Sequence, residues 1–155
     1  PILLVILLAL VVIYSFYTSK TVAGRHLYAM GGNEKAAVLS GINTKKALFY
    51  TFVNMGALAA LGGIVFTSRL QAATPTAGQG FEMDAIAACY IGGASAMGGS
   101  GTIIGAVIGA LVMGVLNNGL SIMGVSSDIT QTIKGLVLLA AVIFDVVSKK
   151  NAEQV

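Results

Sequence analysis

Long apolar runs with few charges dominate this chain. They are Ile2 to Tyr17, Ala47 to Phe66, Thr102 to Leu116 and Ile133 to Val147. A helix of roughly 20 apolar residues crosses the hydrocarbon core of a bilayer. Inside that core the backbone must hydrogen bond within the chain, which favours helices. Only 10% of the residues are charged, against about 25% in an ordinary soluble domain. The sequence therefore predicts an all-α, polytopic transmembrane helical bundle.

Basic residues are concentrated in one polar segment and at the end of the chain. The segment from Thr18 to Lys46 contains Lys20, Arg25, His26, Lys35, Lys45 and Lys46 against one acid, Glu34, and the tail contains Lys149 and Lys150. Because basic residues collect on the cytoplasmic side of membrane proteins, residues 18–46 are predicted to form a cytoplasmic loop. The next polar stretch, Thr67 to Asp84, is then expected to lie outside.

A fifth apolar segment, Ala85 to Met97, is short for a crossing. If the lysines of the tail are cytoplasmic, an odd number of crossings must follow Asp84. The segment is therefore expected to cross as a short or broken helix, and we expect about five spans in one membrane domain over residues 1–155. Since the chain opens at Pro1 inside an apolar run, we also expect it to be part of a longer protein.

The cytoplasmic segment contains a short helix with signals at both ends. Asn33 is a suitable N-cap, Glu34 lies in the first turn, and Gly41 can adopt the left-handed conformation that ends a helix. Such a helix presents Ala36, Ala37 and Leu39 to a neighbour. It is either a docking helix for a cytoplasmic partner or a loop helix packed on its own subunit, and these residues alone leave both open.

Small and neutral polar residues recur within the apolar segments. Gly101, Gly105 and Gly109 are spaced by four, which places them on one helix face and favours close helix packing. The polar residues are Asn54, Ser95, Asn117 and Asn118. Polar groups in a membrane need an explanation, and two fit equally well: a hydrophilic path for a neutral solute, or hydrogen bonds between helices.

Several charged residues have simple local explanations. Asp84 and Asp128 are predicted to cap the helices that follow them, and Asp128 has Gln131 in the capping-box position. Asp145 precedes Lys149 by four residues, the spacing of a helix-surface ion pair. Lys134 is expected to extend to the outer headgroups.

The sequence shows no pattern typical of a metal site or a catalytic site. The chain has one histidine, His26, and one cysteine, Cys89, so no cluster with metal-ligand spacing exists. No acid, base and nucleophile fall within one predicted site. We therefore predict no metal site, no cofactor, no catalytic residue and no nucleic-acid partner.

The motifs resemble those of a transporter family. They are GRHLYAMGGN at 24–33, AA at 36–37, SGI at 40–42, DAIAA at 84–88, GGAS at 92–95, GGSGT at 98–102 and NNGL at 117–120. Together they resemble the C-terminal half of ABC importer sugar permeases of the ribose, xylose and galactose type, with closest similarity to xylose or multiple-monosaccharide permeases.

This resemblance implies a membrane-spanning permease of the bacterial inner membrane that imports a monosaccharide. It implies a cytoplasmic ATPase subunit, a periplasmic or extracellular sugar-binding protein and a second permease subunit, paired as a homodimer, as partners. The coupling residues it implies are Gly31, Gly32, Asn33, Glu34, Ala36, Ala37, Leu39, Ser40 and Gly41. Two alternatives remain: a branched-chain amino acid permease of the same class, and a channel or structural membrane subunit without ATP coupling.

The predicted topology can be tested with single cysteines placed at Ser40 and Gln79 in a variant without Cys89. A membrane-impermeant maleimide should label the cysteine at 79 in intact cells, and the cysteine at 40 only after the cells are opened, because the basic segment is inside. Labelling of position 40 from outside would contradict this topology.

Overall fold

The computed structural model describes residues 1–153, which form seven helices and no strand. Four helices are long and apolar enough to cross a membrane: α1 (Ile2–Lys20), α4 (Thr44–Leu70), α6 (Ile103–Ile122) and α7 (Ser127–Ala152). The shorter helices are α2 (Val22–Gly32), α3 (Glu34–Leu39) and α5 (Phe81–Ile91). The all-α membrane fold is therefore confirmed, with four helices of spanning length where about five were expected. The short α5 contains Asp84 and covers only the first part of the segment 85–97 that was expected to cross.

The chain divides into two compact units, Pro1–Gly78 and Gln79–Val155. The first contains α1 to α4. Its basic segment is more helical than predicted, because α1 continues to Lys20 and α2 follows after a single residue, Thr21. The Thr21 hydroxyl caps α2 by accepting the Gly24 N–H at 3.1 Å. A Cβ on Gly24 would lie 2.5 Å from the Tyr17 carbonyl oxygen, so this glycine allows α2 to fold back against α1.

In the second unit, α5 and α6 form an antiparallel hairpin. The end of α5 has the two hydrogen bonds of a Schellman motif, from Gly93 N–H to the Tyr90 carbonyl at 3.0 Å and from Ala94 N–H to the Cys89 carbonyl at 2.9 Å. Gly93 has φ +90°, the left-handed conformation that this motif requires. The chain then reverses, and α6 begins at Ile103.

Backbone contact between α5 and α6 depends on glycines. A Cβ on Gly105 would lie 2.1 Å from the Gly92 carbonyl oxygen, and one on Gly109 would lie 1.9 Å from the Ala88 carbonyl oxygen. The buried core of this unit is built beside these contacts from Ala87, Ala88 and Met113. Gly101 was expected on the same helix face, but this was wrong: it precedes α6 and has φ +145° in the turn.

The short α5 covers more of the bundle than its own length suggests. Eleven residues rise only about 16 Å. However, Asp84 near the start of α5 contacts Lys134 of α7, and Ser95 in the turn after α5 contacts Lys149 of α7. Those two lysines are fifteen residues apart on one helix, or about 22 Å. Helix and turn together therefore extend along most of α7.

The glycine contacts give a prediction about assembly. Gly105→Leu or Gly109→Leu should prevent the close approach of α5 and α6 and destabilise the protein by about 1–3 kcal/mol or more, because the added side chain meets backbone. The matched control is Gly114→Leu on the same helix, where nothing lies within 4 Å of an added Cβ. The yield and thermal unfolding of the purified full-length protein measure the difference. Equal stability of all three variants would contradict the packing explanation.

Candidate functional site

The short helix α3 is held at both ends by local hydrogen bonds. The Asn33 side-chain oxygen accepts the Ala36 N–H at 3.0 Å. At the other end, the Gly41 N–H donates to the Val38 carbonyl and the Ile42 N–H donates to the Ala37 carbonyl, both at 3.0 Å, which is a Schellman motif. Gly41 has φ +84°. The predicted capping residues thus occupy their expected positions.

The exposed side of α3 differs from the predicted one. Ala37 is only 3% exposed and packs within its own unit, so it cannot contact a partner. Leu39 is 89% exposed and Val38 is 52% exposed. The apolar surface that α3 exposes is therefore formed by Val38 and Leu39, and Ala37 is not part of it. The other residues implied in coupling are exposed around it: Gly31, Gly32, Asn33, Glu34, Ala36, Ser40 and Gly41.

A second polar cluster joins the three helices of the second unit. One carboxylate oxygen of Asp84 on α5, Oδ2, accepts from Asn117 Nδ2 on α6 at 2.9 Å and from Lys134 Nζ on α7 at 3.1 Å. The side chains of Lys134 and Asp84 are 14% and 17% exposed. A charged pair at this depth links the helices by mutual neutralisation, because either charge alone would be costly there.

The sequence analysis was wrong about both charged members of this cluster. Asp84 lies inside the first turn of α5 and does not cap it, and Lys134 forms an ion pair with Asp84. An acid at the edge of one apolar segment and a base at the edge of another were the available signal, but their separation of 50 residues gave no register. Asp128 was also misassigned, since Ser126 is the N-cap residue of α7 and Asp128 lies in its first turn.

A third cluster fixes the turn between α5 and α6 to the end of α7. Asp145 Oδ2 accepts the Ala96 N–H at 2.9 Å. Lys149 Nζ donates to the hydroxyl of Ser95 and, at 3.3 Å, to that of Ser100. The predicted ion pair between Asp145 and Lys149 is therefore wrong, since each of these side chains instead hydrogen bonds to the turn between α5 and α6.

The four neutral polar residues predicted for a path do not form one site within either unit. Asn117 belongs to the Asp84 cluster and Ser95 to the turn cluster. Asn118 is exposed on α6. In the first unit, Asn54 Oδ1 accepts from the Tyr14 hydroxyl at 2.5 Å. In residues 1–153 no group of three or more His, Cys, Asp or Glu side chains is placed to hold a metal ion.

The Asp84 cluster gives a prediction about stability. Asp84→Asn and Lys134→Met should each lower the free energy of unfolding by up to about 3 kcal/mol, because each leaves one partly buried charge without its partner. The double variant should lose less stability than either single variant, since neither charge of the pair remains. Thermal unfolding of the full-length protein in detergent measures this, with exposed Asp128→Asn as the control. A double variant as unstable as the sum of the two single variants would contradict mutual neutralisation.

The family model and the relatives that match this chain are all described as permease components. The family model described as "Branched-chain amino acid transport system / permease component" matches residues 2–142. A ribose import permease protein of Bacillus subtilis (strain 168) is 50% identical over 133 residues, covering 86% of this chain and 41% of the relative. A ribose import permease protein of Escherichia coli (strain K12) is 52% identical over 122 residues, covering 79% and 38%.

A xylose transport system permease protein of Haemophilus influenzae (strain Rd) is 46% identical over 151 residues, covering 97% of this chain and 40% of the relative. The ribose relatives are thus more identical, and the xylose relative aligns over more of the chain. This chain spans about two fifths of the length of all three. No solved structure matches the chain significantly. With four helices able to span a membrane and a family match over residues 2–142, the chain belongs to the branched-chain amino acid transport system permease component family and is a multi-pass membrane protein.

Proposed function

We propose that this chain is the C-terminal part of the permease subunit of an ATP-driven bacterial importer that moves an aldopentose across the inner membrane. The observation that carries the proposal is the identity of 46–52% to two ribose permeases and one xylose permease. Ribose and xylose are both neutral aldopentoses, which supports this substrate class without a choice between them. A related hexose is a secondary candidate.

The intramembrane charges favour a neutral substrate over a branched-chain amino acid. A zwitterion needs a partner for its ammonium and for its carboxylate when it leaves water. In the second unit, Asp84 and Lys134 already neutralise each other. A sugar instead exchanges hydrogen bonds with neutral groups, and Asn54, Ser95, Asn117 and Asn118 remain our candidates for the translocation path. The family description alone supports the amino acid alternative.

The α3 surface supports a protein partner on the basic side of the first unit. Its apolar residues Val38 and Leu39 are exposed on a helix whose two ends are closed by hydrogen bonds. A preformed apolar protrusion of this kind suits a cleft in a cytoplasmic ATPase subunit. A sugar-binding protein on the opposite side and a second permease subunit complete the proposed importer. The chain itself would catalyse no reaction, and ATP would be hydrolysed by its partner.

The test is uptake by the full-length protein with its ATPase and binding protein in proteoliposomes. Labelled ribose, xylose, galactose and leucine are compared with and without ATP. We expect ATP-dependent uptake of ribose or xylose and none of leucine. If leucine is taken up and none of the sugars is, the amino acid alternative is established. Uptake that does not depend on ATP would indicate a channel.

The same assay tests the coupling role of α3. Leu39→Arg should leave the permease folded, because the side chain is exposed, but should weaken ATPase binding by about 2 kcal/mol or more and abolish uptake. Val22→Arg, also at an exposed position of the basic segment, is the control. Ala37→Arg should differ from both by destabilising α3, since Ala37 is buried. Normal ATPase co-purification and uptake by Leu39→Arg would remove α3 from the mechanism.

A further inference from the structure

A cavity of about 720 Å³ lies within the first unit between α1, α2 and the start of α4. This volume falls in the range of small-molecule pockets. Its aromatic and amide side chains are those of Tyr14, Tyr17, His26, Asn43, Tyr50 and Asn54. Thr51 of α4 and apolar residues, including Ile42 shortly before α4, complete the wall.

The lining of this cavity has the chemistry of a site for a hydroxylated neutral ligand. Aromatic rings offer apolar faces to the C–H groups of a sugar ring, and amides and phenols offer donors and acceptors to its hydroxyls. The hydroxyls of Tyr17 and Tyr50 and the ring of His26 have no hydrogen-bond partner among residues 1–153. These groups are therefore free to bond a ligand.

No Asp, Glu, Lys or Arg lines the cavity. A zwitterionic amino acid or a metal cation would lose its hydration there without gaining a countercharge. A purely apolar ligand would leave the hydroxyls of Tyr17 and Tyr50 without a hydrogen-bond partner. A neutral polyhydroxylated molecule needs no countercharge and can hydrogen bond to the polar groups of the wall.

The cavity wall is also bonded directly to α3. Ile42 lines the cavity, and its N–H makes the terminal hydrogen bond of α3 to the Ala37 carbonyl at 3.0 Å. Asn43, the next residue, lines the cavity and caps α4 by accepting the Lys46 N–H at 3.1 Å. A displacement of α3 must therefore move two consecutive wall residues, because they connect the end of α3 to the start of α4.

We propose that this cavity is a monosaccharide subsite on the basic, cytoplasmic side of the permease, and that movement of α3 changes its shape. The inference rests on the proposed import function and adds to it a place where the sugar is held before release. Asn54 and Tyr14, which both line the cavity and are joined by a 2.5 Å hydrogen bond, would orient the sugar hydroxyls. Ile42 and Asn43 would couple release of the sugar to the ATPase.

The subsite can be tested by protection of a cysteine from alkylation in the full-length importer, in a variant without Cys89 and other cysteines. Ala23→Cys places the thiol in the cavity wall, and Ala29→Cys places it on an exposed part of the same helix outside the cavity. At a ribose or xylose concentration about ten times the dissociation constant, alkylation at position 23 should slow about tenfold, because only the empty fraction reacts. Alkylation at position 29 should be unchanged, and leucine should protect neither position.

A second variant links protection to the proposed contacts. Asn54→Leu keeps a side chain of similar size but removes the amide, so the pentose should no longer protect the cysteine at position 23. Pentose uptake without protection at position 23 would overturn the subsite and leave the import function standing. Absence of pentose uptake by the parent importer would instead overturn the import function itself. Equal protection at positions 23 and 29 would show a change of the whole helix and would also overturn the subsite.

Discussion

The second unit depends on the requirement that charges within an apolar bundle be neutralised inside the protein. Asp84 meets this requirement through one oxygen that accepts from Asn117 and Lys134, so a single carboxylate connects α5, α6 and α7. The other oxygen of Asp84 and the amide oxygen of Asn117 are buried without a hydrogen-bond partner among residues 1–153. The cluster is therefore sensitive to the loss of any member, and it is one point at which all three helices meet.

Packing of small residues makes this polar contact possible. Gly105 and Gly109 bring the backbone of α6 against that of α5, which has only eleven residues. Apolar side chains gain little by leaving lipid tails, so close backbone contact and hydrogen bonds must hold such helices together. At the far end of α7, Asp145 and Lys149 bind the turn that follows α5. The short α5 and the turn that follows it are thus bonded to α7 at two positions along its length.

The first unit is organised differently, because its distinctive element is determined by neighbours in sequence. Six residues make α3, and both of its ends are closed by bonds that span three to five residues. Its order does not require a large buried surface, which leaves Val38 and Leu39 free for a partner. The same terminal bonds reach Ile42 in the cavity wall. The exposed side of α3 and the cavity wall are therefore joined through one short hydrogen-bonded segment.

The sequence alone determined the helical class, the approximate positions of the long helices and the two ends of α3. These features follow from apolar content and from bonds between residues a few positions apart, so they are readable without a fold. The sequence also indicated that Gly105 and Gly109 favour close packing, because their spacing places them on one helix face.

Only the tertiary structure decided which residues face each other. Local rules assigned Asp84 to a cap and Asp145 to Lys149, but the partners of Asp84 and Asp145 lie 33 to 50 residues away. Ala37 and Leu39 look alike in sequence, yet one is buried and the other is exposed. The rotation and register of packed helices decide such questions, and these are set by the sum of many contacts that no short pattern contains.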